Sequence, residues 1–327
     1  MNPRTRLAVL LFVLPPVWPA SALAAADVAL LVSDHTSAYF QSAYPAAVQC
    51  VSPSYVAPNE YQRYYRGWEH VLEHNGIPYT EIHDSDVTPK GLATYKVLIL
   101  VNNFWLGDDQ VKSITQWVRN GGHLLATYGS GYMGVNGEAD FLKGGTNGLH
   151  ELWGDPAGKV NSTAYLNPFP WVKVQITQNA GPSAGFAAGT VLDYAWNANL
   201  LTKRPPTTRD VNGMLNFCLP TRGDICLSST GTSTSTGTLT RYPGILNNAH
   251  SKGHVVYYSF APEYVISLAY DVVGHCANDP RYPGGRPYSF LSPTLNPALS
   301  GNLLKLMLGT LNFLKSPAAA PPARGPK

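Results

Sequence analysis

The chain has 327 residues, of which 44% are hydrophobic and only 13% charged, with 23 basic and 20 acidic side chains. That length suits one large domain with insertions or two smaller ones, and the low charge with ordinary hydrophobicity excludes a charged disordered protein and a coiled coil. No basic cluster is denser than Lys203-Arg204, so binding nucleic acid through its phosphates has no electrostatic footprint.

Residues 1–24 have the pattern of a secretory signal: basic Arg4 and Arg6, an apolar run at 7–14, and Ala22-Leu23-Ala24 as an A-x-A cleavage site. A mature chain starting near Ala25 is expected to be secreted or periplasmic. Pro15, Pro16 and Pro19 leave the apolar run too short and broken to span a bilayer. Export to an oxidising compartment favours disulfides for Cys50, Cys218, Cys226 and Cys276. Three pairings are open. Cys218 and Cys226 flank a turn-rich segment between two strand-like runs, so a hairpin-closing bridge is the local choice, which leaves Cys50 with Cys276.

The first half alternates strand and helix signals. The apolar run at 28–32 suits a strand covered on both faces, and a long loop is expected after it. Tyr64, Trp68, Val71 and Leu72 lie at helical spacing within 61–74, and Gly76 is placed to end that helix. A short strand at 78–82 precedes the strongest strand, Val97–Val101. Asp108 and Asp109 open a helix with the stripe Val111, Ile114 and Val118, stopped by Gly121-Gly122, and His123–Thr127 is the next strand. This order predicts a doubly wound parallel sheet, with Val97–Val101 at its centre.

Residues 136–240 are rich in Gly, Pro, Asn and Thr, with short apolar runs at 171–176, 190–196 and 214–218, and read as a β-rich insertion. The low-complexity stretch 228–237 reads as a surface loop. A strand at 253–260 and an amphipathic helix at 302–314 close the domain, 25–315, before a Pro/Ala-rich tail at 316–327 that is expected to be disordered.

Three groups of residues together resemble the class I glutamine amidotransferase-like superfamily: 67–72, the strand 95–100, and the run 116–131 that ends Thr127-Tyr128-Gly129-Ser130-Gly131. The similarity resumes at 242–248 and 252–263, and is greatest to the non-catalytic, trimer-forming domain of bacterial β-galactosidases and related secreted glycosidase-like proteins. The resemblance implies a flavodoxin-like three-layer α/β core and assembly into homo-oligomers. It also implies a nucleophilic Cys on the turn after His123–Thr127 and a His-Pro-Glu run after a later strand. Here the turn has no Cys and the later run reads Ala261-Pro262-Glu263. Ala261 has no titratable group, so the implied nucleophile and base are both missing and only Glu263 remains. Glu263 also reads simply as a helix-start carboxylate.

Ser130 is the catalytic alternative, since Gly129-Ser130-Gly131 follows a strand as in serine hydrolases, although Tyr128 and Tyr132 stand where the full G-x-S-x-G pattern needs Gly. Its base would be His150, His250, His254 or His275. The structural reading is that the glycines only permit a tight turn. Asp34-His35 and His83-Asp84-Ser85-Asp86 contain metal-ligand types without a helical His pair's spacing, so no metal and no cofactor is expected. Asn102, Asn103, Trp105, Tyr128 and Tyr132 follow strands at the end where open α/β sheets bind ligands. With Phe104 and Trp153 they suit a carbohydrate or a cell-envelope glycan. The expected role is thus non-catalytic: glycan binding or assembly. The alternative is a secreted hydrolase using Ser130 or a crevice carboxylate.

Overall fold

The computed structural model describes residues 26–47, 49–50, 60–132, 149, 152, 160–164, 172–194, 198–201, 210–219, 225–227, 233–236, 238–274 and 297–316. The expected signal, His150, Trp153, His275, Cys276, most of the low-complexity stretch and nearly all of the tail lie outside them.

The chain enters on β1 (Val28–Leu31), which is buried at every position. A helix, α1 (Asp34–Ala43), follows where the sequence predicts a loop. Only Thr36 is buried along it, so it lacks the apolar stripe by which helices are recognised. Its cap carries the signal instead: Ser33 accepts the Thr36 N–H through its hydroxyl, and Asp34 occupies the positive first turn. In α2 (Gln62–His74), Tyr64, Trp68, Val71 and Leu72 form the buried face as their spacing predicts. The helix ends in a Schellman motif, with Gly76 N–H donating to the Glu73 carbonyl and Ile77 N–H to that of Leu72.

Then come β2 (Thr80–Ile82), the short α3 (Pro89–Leu92), β3 (Val97–Val101), α4 (Asp108–Arg119) and β4 (His123–Thr127). Two further strands, β12 (Thr238–His250) and β13 (Gly253–Tyr258), precede α5 (Pro262–Tyr270) and the closing α6 (Pro297–Lys315). The parallel strands run in the order β2-β1-β3-β4-β13. As expected, β3 lies centrally, in parallel register with both β1 and β4. Alternate strand residues serve opposite faces. Val28, Leu30, Val97 and Ile99 pack under α2, α5 and α6, whereas Ala29, Leu31, Leu98 and Leu100 pack with Ile114, Trp117 and Val118 of α4.

The sheet is not purely parallel, which corrects the expected all-parallel layer. Beyond β13 it continues antiparallel through β12, then β9 (Asp210–Leu219), β6 (Val172–Ile176) and β7 (Val191–Asp193), to make nine mixed strands. The segment read as an insertion therefore extends the main sheet. Two small pairs stand beside it: β5 (Val160–Ala164) with β8 (Ala198–Leu201), and β10 (Ile225–Leu227) with β11 (Ser233–Thr236). Part of the stretch read as a loop is thus strand.

The expected Cys218–Cys226 hairpin also needs correction. Cys218 lies in β9 opposite Leu239, and Cys226 in β10 opposite Ser235, so the segment between them joins two different sheets. Cys50 is disulfide-bonded. Its partner, and the side chains of Cys218 and Cys226, lie outside what is described. Among the described residues no helix is long and apolar enough to cross a membrane.

Candidate functional site

In doubly wound sheets a ligand crevice opens at the carboxyl ends of the strands where the order reverses. Here that point lies between β1 and β3. It is stitched shut. Asn103 is fully buried, its Oδ1 accepts the Val101 N–H at 2.6 Å, and its Nδ2 donates to the Leu31 carbonyl at 3.1 Å and to the Tyr61 hydroxyl at 2.8 Å. The same hydroxyl accepts the Ser33 N–H at 3.1 Å. Tyr61 arrives from the start of α2, a partner that nothing local in the sequence pairs with Asn103.

The next turn, after β4, is strained at Tyr128 and not at Ser130. Tyr128 has φ 47°, a left-handed value uncommon for a bulky residue, and Asn102 at the end of β3 has φ 49°. Asn102 is likewise buried, and its Oδ1 accepts the Gly129 N–H at 3.1 Å. A Cβ at position 129 would stand 2.6 Å from that oxygen and 2.9 Å from the Phe104 ring, so only glycine fits. Asn102 and Asn103, expected to meet a ligand, instead fasten strand ends to one another.

Ser130 is fully buried. Its Oγ lies 2.8 Å from the Thr127 carbonyl and 3.2 Å from the Leu100 carbonyl as donor, and accepts the Asn103 N–H at 3.3 Å. A serine nucleophile needs a base within hydrogen-bond reach. Two of the expected bases are far away: His250 pairs with Gly253 at the start of β13, and His254 lies beside His123 at the start of β4. Both stand at the amino ends of the parallel strands, a strand length of roughly 17 Å from the turn after β4.

Glu263, in the first turn of α5, is also fully buried. Its Oε1 lies 2.5 Å from the Thr127 hydroxyl, and its Oε2 has no hydrogen-bond partner among the described residues. Burial pushes its carboxyl up to about 8, only partly offset by the Thr127 hydrogen bond, so the neutral acid prevails at pH 7. Glu263 and Ser130 each bond Thr127, one to its hydroxyl and one to its carbonyl. Ala261 donates its N–H to the buried Tyr194 hydroxyl at 2.9 Å. Helix α5 reaches this position because Gly67 of α2 lets its backbone pass: a Cβ there would lie 2.1 Å from the Glu263 carbonyl oxygen.

Above this closed floor lies a layer of half-buried rings. Phe104 stacks on Tyr39 of α1 at 5.1 Å between centroids and on Tyr132 at 4.7 Å, and Trp105 leans on Tyr39 at 5.5 Å. The Trp105 N–H donates to Thr36 Oγ1 at 3.2 Å, which ties the β3 loop to α1. Of the expected ligand residues, Trp105 and Tyr132 join this shelf. Tyr128 lies beneath, 7% exposed and stacked on Tyr64 at 6.4 Å. Tyr39 carries no sequence signal of this place because α1 itself carries no apolar stripe.

Beside the shelf, the two polar segments singled out in the sequence meet. His35 Nδ1 lies 3.6 Å from Asp84 Oδ2 and His83 Nδ1 lies 3.5 Å from Asp34 Oδ2. Asp84 already accepts from Ser33 Oγ, the His35 N–H and Gln110 Nε2. Among the described residues no group of three or more His, Cys, Asp or Glu side chains is arranged to hold a metal ion.

No protein-family model and no curated protein matches the sequence. Solved structures do match in fold. A ThuA-like protein from Bacteroides uniformis is 14% identical with a TM-score of 0.50, covering 92% of this chain and 97% of its own. A β-galactosidase from Bacillus circulans is 17% identical with a TM-score of 0.50, covering 76% of this chain and 30% of its own. The chain spans 27–31% of the length of the GH42 and related β-galactosidases it matches.

Proposed function

We propose that this chain is an exported, non-catalytic member of the class I glutamine amidotransferase-like fold, with a flavodoxin-like parallel half, that binds glycan on the shelf formed by Tyr39, Phe104, Trp105 and Tyr132. The parallel order β2-β1-β3-β4-β13 is the 2-1-3-4-5 order of that fold. The observation that carries the binding reading is the stack of Tyr39, Phe104 and Tyr132 at the carboxyl end of the sheet. Flat, half-buried rings in a weakly charged surface suit the apolar face of a pyranose ring and stay in register without a bound partner. The likeness in fold to a segment of a β-galactosidase is consistent with a glycan setting.

Three features support a non-catalytic role. The Gly131 N–H, which follows Ser130 and would be the oxyanion donor of a serine hydrolase, is occupied by the Asn103 carbonyl at 2.9 Å. The Ser130 hydroxyl is held among backbone groups, and Ala261 stands where the resemblance requires a base. The test is a titration with neutral oligosaccharides followed by calorimetry. Phe104→Ala and Tyr132→Ala should each weaken binding by roughly tenfold, the scale of about 1–1.5 kcal/mol attached to one aromatic contact. Absence of binding by the unmodified protein to any neutral glycan tested, or binding by both variants as tight as that of the unmodified protein, would overturn the assignment.

A further inference from the structure

Away from the shelf, the far ends of α2 and α5 converge on a group of side chains that the glycan reading does not use. His70 and His74 lie one turn apart on α2, and their rings have come together at 3.8 Å between centroids. Tyr270, the last residue of α5 and 49% exposed, covers the other side of His70 at 4.5 Å. The His74 Nδ1 lies 3.1 Å from the His70 carbonyl. Because that carbonyl can only accept, a neutral His74 ring holds its proton on Nδ1, which leaves Nε2 as its ligating nitrogen. An imidazole whose second nitrogen donates to a backbone carbonyl is the usual form of a metal-binding histidine.

We propose that His70 and His74 form a surface site for a divalent transition-metal ion of the imidazole-preferring class, with copper(II) binding most tightly. Histidines at i and i+4 present two nitrogens from one helix face to a single ion. Two protein ligands leave the remaining positions to water, so this is an open site and not a closed structural one. Copper(II) heads the affinity order for nitrogen ligands among divalent first-row ions, ahead of nickel(II) and zinc(II). The surroundings favour a cation. Both histidines lie toward the carboxyl end of α2, near the negative end of its helix dipole. Glu73, between the two histidines, adds a carboxylate that accepts from the Tyr79 hydroxyl at 3.1 Å.

The experiment is a titration of the full protein with copper(II) chloride at pH 7, read by calorimetry and by the electron paramagnetic resonance of the bound ion. The expected result is a site with nitrogen hyperfine structure whose affinity falls roughly tenfold or more in both His70→Ala and His74→Ala, a loss on the scale seen when metal-site residues are removed. His74→Gln, which keeps a polar side chain on the exposed helix face, should lose affinity in the same way, and circular dichroism of all three should match the unmodified protein. His123→Ala and His254→Ala should bind as the unmodified protein does. The proposal is overturned if the unmodified protein shows no nitrogen-ligated copper, if the double variant His70→Ala/His74→Ala binds as tightly, or if the His123 or His254 variant removes the signal instead.

Discussion

Asn102 and Gly129 are joined across the carboxyl ends of β3 and β4 by a 3.1 Å hydrogen bond from the Gly129 N–H to the Asn102 side-chain oxygen. Around it two successive strand ends, Asn102 and Tyr128, take left-handed backbone conformations. Asn tolerates that conformation better than other side chains. Asn102→Ala removes the acceptor, leaves a buried N–H unpaired, and places Ala where φ is positive. Unfolding in denaturant should show a loss of about 3 kcal/mol, within the cost of an unsatisfied buried donor plus backbone strain. A loss below about 0.5 kcal/mol, the scatter of neutral surface changes, would mean that other contacts hold the turn.

Ser130 gives a prediction that separates support from chemistry. Its hydroxyl bridges the ends of β3 and β4 through the Leu100 and Thr127 carbonyls and the Asn103 N–H. Ser130→Ala should therefore cost about 1–2 kcal/mol of stability and leave glycan affinity unchanged. A fluorophosphonate probe should not label the unmodified protein. Labelling that disappears in Ser130→Ala would establish a serine nucleophile and remove the non-catalytic reading.

Glu263 makes stability depend on pH in a definite direction. Its folded-state pKa is raised to about 8 from an ordinary value of 4.5, so between those values the native state binds more protons than the unfolded chain. The contribution of Glu263 to stability is then fully present below about 4.5 and is lost as pH rises through about 8. Glu263→Gln keeps an oxygen to accept from Thr127 Oγ1 and cannot ionise. The melting temperature of the variant relative to the unmodified protein should climb between pH 5 and pH 9. A constant difference would show that the carboxylate finds a charge-stabilising partner when it ionises.

The elements legible in the sequence were those whose fate is decided locally. Val97–Val101 is apolar at every position and is buried at every position, because a parallel strand covered by helices on both faces has no solvent side to record. Trp68 and Val71 announce α2 by spacing, and Gly76 announces its end. Helix α1 was missed because a single buried residue on ten leaves no periodicity, although Ser33 and Asp34 spelled out its start. The continuation of the sheet through β12, β9, β6 and β7 depends on strand pairs far apart in sequence, such as Val174 with Leu215, and composition does not encode partner choice. At the candidate site, residue types pointed to the carboxyl ends of the strands but not to how each side chain is held there. Asn102, Asn103 and Ser130 do gather at the carboxyl ends of the strands, but whether a polar side chain faces a ligand or a neighbouring backbone depends on Tyr61, Leu31 and Leu100, which only the fold brings there.

The opposite end of the sheet titrates with the opposite sign. The His254 N–H donates to His123 Nδ1 at 3.1 Å, and the two rings lie 5.9 Å apart. Accepting that bond requires His123 to be neutral with its proton on Nε2. Burial lowers the pKa of both histidines, and for His123 the proximity of His254 lowers it further. The edge of Phe313 also lies against the pair, 5.5 Å from the His254 ring. A histidine with a depressed folded-state pKa binds fewer protons in the native state than in the unfolded chain. Its contribution is present above the unfolded value of about 6.5 and is lost as pH falls below it. Imidazole proton resonances of His123 followed through a pH titration should therefore show a midpoint under 6.5. In His123→Asn the amide oxygen stands near the place of Nδ1 and can accept from His254 without titrating, so this variant should lose less stability between pH 7 and pH 5 than the unmodified protein. A midpoint above 6.5, or an acid decline unchanged in His123→Asn, would show that this hydrogen bond does not govern the response.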